Sequence, residues 1–315
     1  MNPLAKTKPT LEYIRLGIGI IGCLAFASVK GMGPQAATWI EILLLVSVLL
    51  LMPLAEVLHG KKVRSATRQR WELIAGLMLF QSLLSPVAHW TDMIGVLVWL
   101  LVRLQDAAAA FREGWTLRSW HPAFLCQLSS RIFPAIGAAW LLAYRANHMP
   151  FGFDALIVLL TAAHFHHAGF TLPLMAGLCG KAQPSALSRL SCRLILAGVP
   201  LVATGITCTH FKVFPWVEPL SVSVLVAGAL GIAISQIQMA FHPGLRGITK
   251  SLFMISGLSL FVAMLLALSF GLRSFLPQWA LPMPHMWAIH GTLNTFGFGL
   301  SGLLAWRQCA VFLKQ

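Results

Sequence analysis

Apolar segments long enough to cross a membrane recur along the entire chain and leave few options for its fold. A membrane-spanning helix needs about 20 mostly apolar residues, and segments such as Ala37–Leu58 and Ile248–Leu272 reach that length. Inside the hydrocarbon layer only helices and closed barrels satisfy every backbone hydrogen bond. The apolar runs do not alternate with polar residues as barrel strands do, which favours helices. We therefore predict an all-α fold, a polytopic membrane helix bundle.

Ten apolar segments can be placed, and they predict a single integral-membrane domain over residues 1–315. In chain order they are about Glu12–Val29, Ala37–Leu58, Trp71–Trp90, Met93–Ala109, Phe124–Tyr144, Phe153–Leu178, Leu190–Thr209, Glu218–Met239, Ile248–Leu272 and Met286–Trp306. Only 10% of the residues are charged, against about 25% in soluble domains. After the fourth segment, Asp106–Trp120 is amphipathic and predicts a helix lying on the cytoplasmic surface.

The basic residues predict the orientation of the chain in a bacterial cytoplasmic (inner) membrane. With ten spans and a cytoplasmic N-terminus, the cytoplasmic segments include Lys6, Lys8, the region Lys61–Arg70 and Lys314. Of the 23 Lys and Arg residues, the opposite side holds only Lys30, Arg145, Lys212 and Arg273. This asymmetry predicts that both termini are cytoplasmic. The net charge of +14 is thereby assigned to topology and to attraction to anionic lipid in the bilayer, and not to nucleic-acid binding.

The sequence TAAHFHHAGF at Thr161–Phe170 places three histidines inside the sixth span. His164 and His167 are three residues apart and share a helix face, whereas His166 lies about 200° around the helix from His164. His164 is close to the middle of the bilayer if the span begins near Phe153. Ionisable groups at that depth are rare and usually line a site or a pathway. The alternative is that they are hydrogen-bonding groups between helices.

Other spans supply polar residues at similar depths. In the tenth span, His290 and Asn294 are four residues apart on one face, and Glu41 is the acidic residue inside the second apolar run. We predict one pocket in which the catalytic candidates are His164, His290, Glu41, His166 and His167. The residues predicted to bind substrate are Asn294, Gln81 in the third span, Trp140 near the outer end of the fifth, and Gly169, which allows close approach of a helix or a substrate.

No cofactor is predicted, although the same residues leave a metal ion open as an alternative. His164, His167, His290 and Glu41 provide nitrogen and oxygen ligands of the kind that bind zinc or iron. The spacing HFHH is not a specific metal motif. The six cysteines are scattered without a CxxC pair, which argues against a zinc module or a disulfide framework.

Three stretches together resemble the YndJ-like family of bacterial multi-span membrane proteins. They are LTAAHFHHAGFTLPL at Leu160–Leu174, PAIGAAWLLAYR at Pro134–Arg145 and HGTLNTFGFGLSG at His290–Gly302. The positions that match the family signature are His164, His166, Ala168, Gly169, Phe170, His290, Gly291, Asn294 and Gly297, while His167 occupies a variable position. The resemblance implies a shared polar site and does not specify what that site does.

The residue inventory favours a membrane enzyme that acts on a lipophilic small molecule. Histidine with Glu, and no nucleophilic Ser or Cys motif, suits acid–base chemistry by an isomerase, a cyclase, or an epoxide-opening or hydrolytic enzyme. In this hypothesis His164 is the principal acid or base, and Glu41 or His290 is its counterpart. The alternative is a proton-coupled transporter or permease of a small hydrophobic molecule. A weaker third option is a subunit that binds haem through His164 and His290. The sequence does not indicate an oligomeric state.

Overall fold

A computed structural model describes residues 9–31, 33, 37–59, 65–85 and 90–312, and the regular secondary structure in these ranges is helical. The helices are α1 Pro9–Lys30, α2 Ala37–Leu58, α3 Ala66–Leu84, α4 Trp90–Leu117, α5 Pro122–Arg145, α6 Ala155–His167, α7 Thr171–Ala182, α8 Ala186–His210, α9 Val217–Ala240, α10 Gly247–Gly271 and α11 over residues 283–312. No strand occurs in these ranges. The predicted all-α polytopic bundle is confirmed. Lys6, Lys8, His89, Lys314 and residues 60–64 of the basic loop lie outside the described ranges.

Eight helical segments within the described residues are long and apolar enough to span a membrane. The predicted number of ten is therefore approximate. Helix α3 is less apolar because Arg68, Arg70 and Glu72 lie in its first two turns. The final predicted span is divided into short helical segments of different types. The protein is a multi-pass membrane protein.

Helix α2 is the central helix of the bundle. Every residue in 40–49 is buried, as expected for a helix that is apolar on all sides. It packs against α1, α6 and the first part of α11. The other helices mostly pack beside their neighbours in the chain, as in α3 with α4, α4 with α5, and α9 with α8 and α10.

The segment after the fourth span does not form a separate surface helix. Helix α4 continues without a break from Trp90 to Leu117, because the run Ala107–Ala110 has high helix propensity and contains no helix-breaking residue. Asp106 is buried and forms an ion pair with Arg68 over 2.9 Å, which fixes this part of α4 against α3. The helix ends where Arg118 adopts a positive φ of 44°.

The sixth span is two helices instead of one. The side chain of Asp154 caps α6 by accepting a hydrogen bond from the backbone N–H of Ile157 over 2.9 Å. Helix α6 ends at His167, and α7 begins at Thr171 after a turn at residues 168–170. Pro173 explains the break, because proline cannot donate the hydrogen bond to Gly169 and its ring crowds that carbonyl group. The HAGF sequence thus forms the turn inside a broken span.

The final helix contains two π-helical segments, Trp287–Gly291 and Leu293–Leu300. π-Helical turns are frequent at functional sites. Two serine hydroxyls bind carbonyl groups in the second segment. Ser256 of α10 donates to the carbonyl oxygen of Phe298 over 2.9 Å, and Ser301 donates to that of Phe296 over 3.1 Å.

Candidate functional site

The histidine site lies where α2, α6, α10 and α11 meet. His164 and His167 of α6 and His290 of α11 are close enough for their rings to interact electrostatically. The same region of α11 is attached to α2 by a hydrogen bond of 3.0 Å from the indole Nε1 of Trp39 to the hydroxyl oxygen of Thr292. Residues from the beginning, middle and end of the chain therefore form one site.

A backbone carbonyl group fixes one ring nitrogen of each of these histidines. Nδ1 of His164 donates to the carbonyl oxygen of Leu160 over 2.8 Å, and Nε2 of His167 donates to that of Leu43 over 3.0 Å. Because a carbonyl oxygen accepts only, the nitrogen that faces it carries the proton. In the neutral ring, the remaining nitrogen then has a free lone pair. Among the described residues, neither Nε2 of His164 nor Nδ1 of His167 has a hydrogen-bond partner.

His290 differs because both of its ring nitrogens are occupied. Nδ1 donates to the carbonyl oxygen of Ala263 over 2.9 Å, and Nε2 accepts from Nδ2 of Asn294 over 3.1 Å. Asn294 also donates to the backbone carbonyl oxygen of His290 over 2.8 Å. Asn294 therefore holds the tautomer and orientation of His290, whereas the sequence analysis predicted that it binds substrate.

His166 points away from this site, as its position on the helix indicates. It is fully buried, and its Nε2 accepts a hydrogen bond from Nε1 of Trp99 over 3.1 Å. Its Nδ1 donates to the carbonyl oxygen of Ala162 over 2.8 Å. A Cβ atom on Gly137 would lie 2.6 Å from Nδ1 of His166, so only glycine leaves room for this ring beside α5. The environment of His166 is that of a packed structural group.

Glu41 is buried but belongs to a different set of contacts. Its Oε1 accepts a hydrogen bond from the hydroxyl group of Tyr144 over 3.4 Å, and Lys30 and Arg145 interact with it electrostatically. No histidine is among its polar partners in the described residues. Leu43, which contacts His167, is two positions further along α2 and faces about 200° away from Glu41. The structure does not bring the predicted carboxylate to the histidine site.

The remaining predicted residues have three separate environments. Gln81 is exposed on α3, which packs mainly on α4, α1 and α2. Trp140 is half-buried and packs against Phe153 with ring centroids 6.1 Å apart. Gly169 allows α5 to approach closely, because a Cβ atom there would lie 2.8 Å from Cβ of Phe133. Only Gly169 among these three adjoins the histidine segment.

A second polar site, which the sequence analysis missed, lies towards the predicted cytoplasmic side. We call it the inner ion cluster; it consists of Arg15, Glu56, Arg68, Glu72, Arg103 and Asp106. One guanidinium group of Arg15 binds both Glu56, over 2.7 Å, and Glu72, over 3.2 Å. Arg103 pairs with Glu72 and with Asp106. The sequence analysis assigned the basic residues near span ends to topology alone. The spacing of three residues between Arg103 and Asp106 is a local signal that could have indicated internal pairing.

The inner ion cluster reaches both the broken span and His166. A small cavity with room for about one water molecule (about 10 Å³ for its centre) is lined by Glu56, Glu72 and Arg103 and also by Phe170 of the HAGF turn. The guanidinium group of Arg103 stacks on the ring of Trp99 at 4.3 Å, and Trp99 binds His166. The inner ion cluster is therefore linked to the broken sixth span through Trp99 and through Phe170.

The described residues contain no group of three or more His, Cys, Asp or Glu side chains arranged to hold a metal ion. His164 and His167 offer free nitrogens, but the third nitrogen of the site, Nε2 of His290, is taken by Asn294. The carboxylate that would complete the predicted ligand set, Glu41, has other partners. The geometry in this form does not provide the metal site that the sequence left open.

Comparison with known proteins agrees with these motifs. The chain is 27% identical over 297 residues to a protein of Bacillus subtilis (strain 168) described as "Uncharacterized membrane protein YndJ". That match covers 92% of this chain and 52% of the relative, so the chain spans about half the length of the curated relative that it matches. No solved structure matches the chain. A family model described as "YndJ-like protein" matches residues 39–298, from α2 to the second π-helical segment of α11, and the chain therefore belongs to the YndJ-like family.

Proposed function

We propose that this protein is an enzyme of the bacterial cytoplasmic membrane that acts on a lipophilic small molecule by histidine acid–base chemistry. The observation that carries the proposal is the pair of free lone pairs on Nε2 of His164 and Nδ1 of His167, each on a ring whose other nitrogen is bound to a backbone carbonyl group. A ring held in this way is oriented for proton transfer before a substrate arrives.

The position of His164 supports a substrate that enters from the membrane. Its side chain is exposed although it lies deep in a span, where the surrounding medium is hydrocarbon. A lipophilic molecule can therefore reach Nε2 laterally, without first crossing an aqueous channel. His167 is half-buried and is bound to the carbonyl oxygen of Leu43 in α2. The substrate class is accordingly a membrane-soluble molecule with an activated C–H or an O–H group.

The chemistry that fits best is an isomerisation or a cyclisation. Nε2 of His164 removes a proton from the substrate, and the same proton is returned at another atom, so that no oxidant or co-reactant is needed. His167 offers a second base beside His164, whereas the sequence analysis gave the role of counterpart to Glu41 or His290. A hydrolytic reaction through a positioned water molecule uses the same base.

Comparative analysis of lipophilic extracts tests the proposal. Cells with the intact gene, without it, and with His164→Asn are compared by mass spectrometry. We expect one compound to accumulate and another to disappear in the last two strains. Wild-type protein solubilised in detergent should convert the first compound into the second, and the His164→Asn protein should be at least 100-fold slower, in the range of a lost general base. His148→Asn, at an exposed loop position, is the matched control and should retain activity. An active His164→Asn protein contradicts the proposal.

A second candidate, a proton-coupled transporter, is favoured by the break in the sixth span. Transport sites near the middle of the membrane are typically formed by discontinuous helices, and the turn at residues 168–170 follows the histidines directly. A transporter leaves its substrate chemically unchanged. Movement of an unmodified compound into sealed vesicles, with no conversion by the detergent-solubilised protein, would favour this function over the enzyme.

A further inference from the structure

Helix α4 has its polar residues inside the bundle and its apolar residues outside. Arg103 and Asp106 are buried in the inner ion cluster, whereas Leu104, Ala108 and Phe111 are exposed on the opposite face. This pattern is the reverse of a helix at a protein–water surface. The medium that contacts the outer face of α4 is therefore lipid.

This face contains a groove of about 440 Å³ between α4 and α5. Its lining is almost entirely apolar and consists of Leu104, Ala107, Ala108, Phe111, Arg112 and Ile132. The five residues of α4 follow helical spacing along one face. The alanines form the floor because their side chains are short, and the larger side chains form the walls.

The positive charge of Arg112 is not paired with an acidic side chain of the described residues. Its side chain is exposed, and no hydrogen bond or ion pair joins it to another of the described residues. The nearby acid in the sequence, Glu113, is bound to Arg131 over 2.5 Å, so its charge is already compensated. The groove thus ends at one uncompensated positive charge.

The length of α4 places Arg112 at the level of lipid headgroups. Trp90 begins the helix and is 71% exposed, as expected for an aromatic anchor at the outer interface. At about 1.5 Å per residue, Arg112 lies about 33 Å further along the helix, just beyond a hydrocarbon layer of about 30 Å. Leu104 lies about 21 Å from Trp90, so the groove occupies the inner leaflet below that charge.

We propose that this groove is a binding site for an anionic phospholipid of the cytoplasmic leaflet, with an acyl chain along Ala107 and Ala108 and the phosphate on Arg112. A planar guanidinium group binds phosphate through two parallel hydrogen bonds. An anionic headgroup lacks the choline ammonium that, in a zwitterionic lipid, neutralises the phosphate charge and repels the guanidinium group of Arg112. The site is independent of the histidine site and of its proposed function.

Lipid titration of the purified full-length protein in detergent tests this site. The Tm is followed as dioleoyl phosphatidylglycerol or dioleoyl phosphatidylcholine is added, and native mass spectrometry counts the lipid retained. We expect phosphatidylglycerol to raise the Tm several degrees more than phosphatidylcholine does. Arg112→Gln should weaken the apparent affinity for phosphatidylglycerol about fivefold, the value of one basic residue near a membrane surface. Ala108→Phe, which fills the groove, should also reduce lipid retention.

Arg193→Gln is the matched control. Arg193 is likewise exposed, on α8 at the same predicted side of the membrane, and its replacement should leave the effect of phosphatidylglycerol intact. Arg112→Lys keeps the charge and should retain part of the affinity. Equal losses in Arg112→Gln and Arg193→Gln would overturn the proposal, because general surface charge would then explain the effect. Equal stabilisation by the two lipids, or full retention in Ala108→Phe, would overturn it as well.

Discussion

The indole N–H of Trp99 donates a hydrogen bond to Nε2 of His166 over 3.1 Å, which joins α4 to the broken sixth span in the interior of the bundle. Both side chains are fully buried. The bond also fixes His166 as the tautomer with its proton on Nδ1, because the indole group can only donate. His166 is thus held by two partners, while its neighbours His164 and His167 each keep one nitrogen free.

Trp99→Phe is therefore expected to destabilise the protein. The phenyl ring keeps the stacking surface for Arg103 but leaves Nε2 of His166 without a donor, at a cost of about 1–3 kcal/mol. The free energy of unfolding in detergent micelles measures the change. Trp115→Phe, at a position that is 70% exposed, is the matched control and should have little effect. A similar loss in both variants would show that the hydrogen bond is not the cause.

The bundle and its histidine motif could be predicted from the sequence because apolar length and helical spacing are local properties. The separation of His166 from His164 and His167 follows from the helical angle alone. The partners of Glu41 could not be predicted in this way, since depth in the membrane does not determine which face of α2 meets which helix. Pro173 alone indicates a helix break near residues 168–170. The apolar run is continuous through these residues, however, and therefore predicts one uninterrupted span.

The inner ion cluster is the largest feature that the sequence did not reveal. Basic residues near span ends usually mark topology, and Arg15 and Arg103 fit that rule in sequence. In the structure both are buried, because Glu72 of α3 pairs with the two of them. Sequence separations of 57 and 31 residues leave no local signal for these pairs.

Glu72→Gln tests the inner ion cluster. The substitution leaves two buried guanidinium groups without their shared carboxylate, and we expect a loss of about 3–5 kcal/mol in the free energy of unfolding. Glu113→Gln is the control, since the Glu113 side chain is 38% exposed in its pair with Arg131 and such pairs contribute about 1 kcal/mol or less. Thermal unfolding at two salt concentrations distinguishes the two variants further, because salt screens only the exposed pair of Glu113 and Arg131. Equal effects would contradict the assignment of a buried network.

Gln236 offers a change in the opposite direction. It is fully buried in α9, and neither its Oε1 nor its Nε2 has a hydrogen-bond partner among the residues that the structure describes. Gln236→Met keeps the shape of the side chain and removes the two unsatisfied groups, so we expect a gain of about 1–3 kcal/mol. An increase in Tm with unchanged yield of folded protein is the expected measurement. A decrease would indicate that the amide binds ordered water, which the apolar side chain cannot replace.

Gly137→Ala tests how closely α5 must approach the histidine segment. The new Cβ atom would lie 2.6 Å from Nδ1 of His166 and 2.9 Å from Cβ of Phe165, so α5 and α6 must move apart or the His166 ring must leave its partners. We expect a loss of about 1–3 kcal/mol in the free energy of unfolding, as for overpacking of a close-packed interior. Gly17→Ala is the control in α1, where no atom of another described part of the chain lies within 4 Å of the new Cβ. There the higher helix propensity of alanine should stabilise by about 0.5–1 kcal/mol. Opposite signs for the two variants are the expected result, and a stabilising Gly137→Ala would contradict the close contact between α5 and His166.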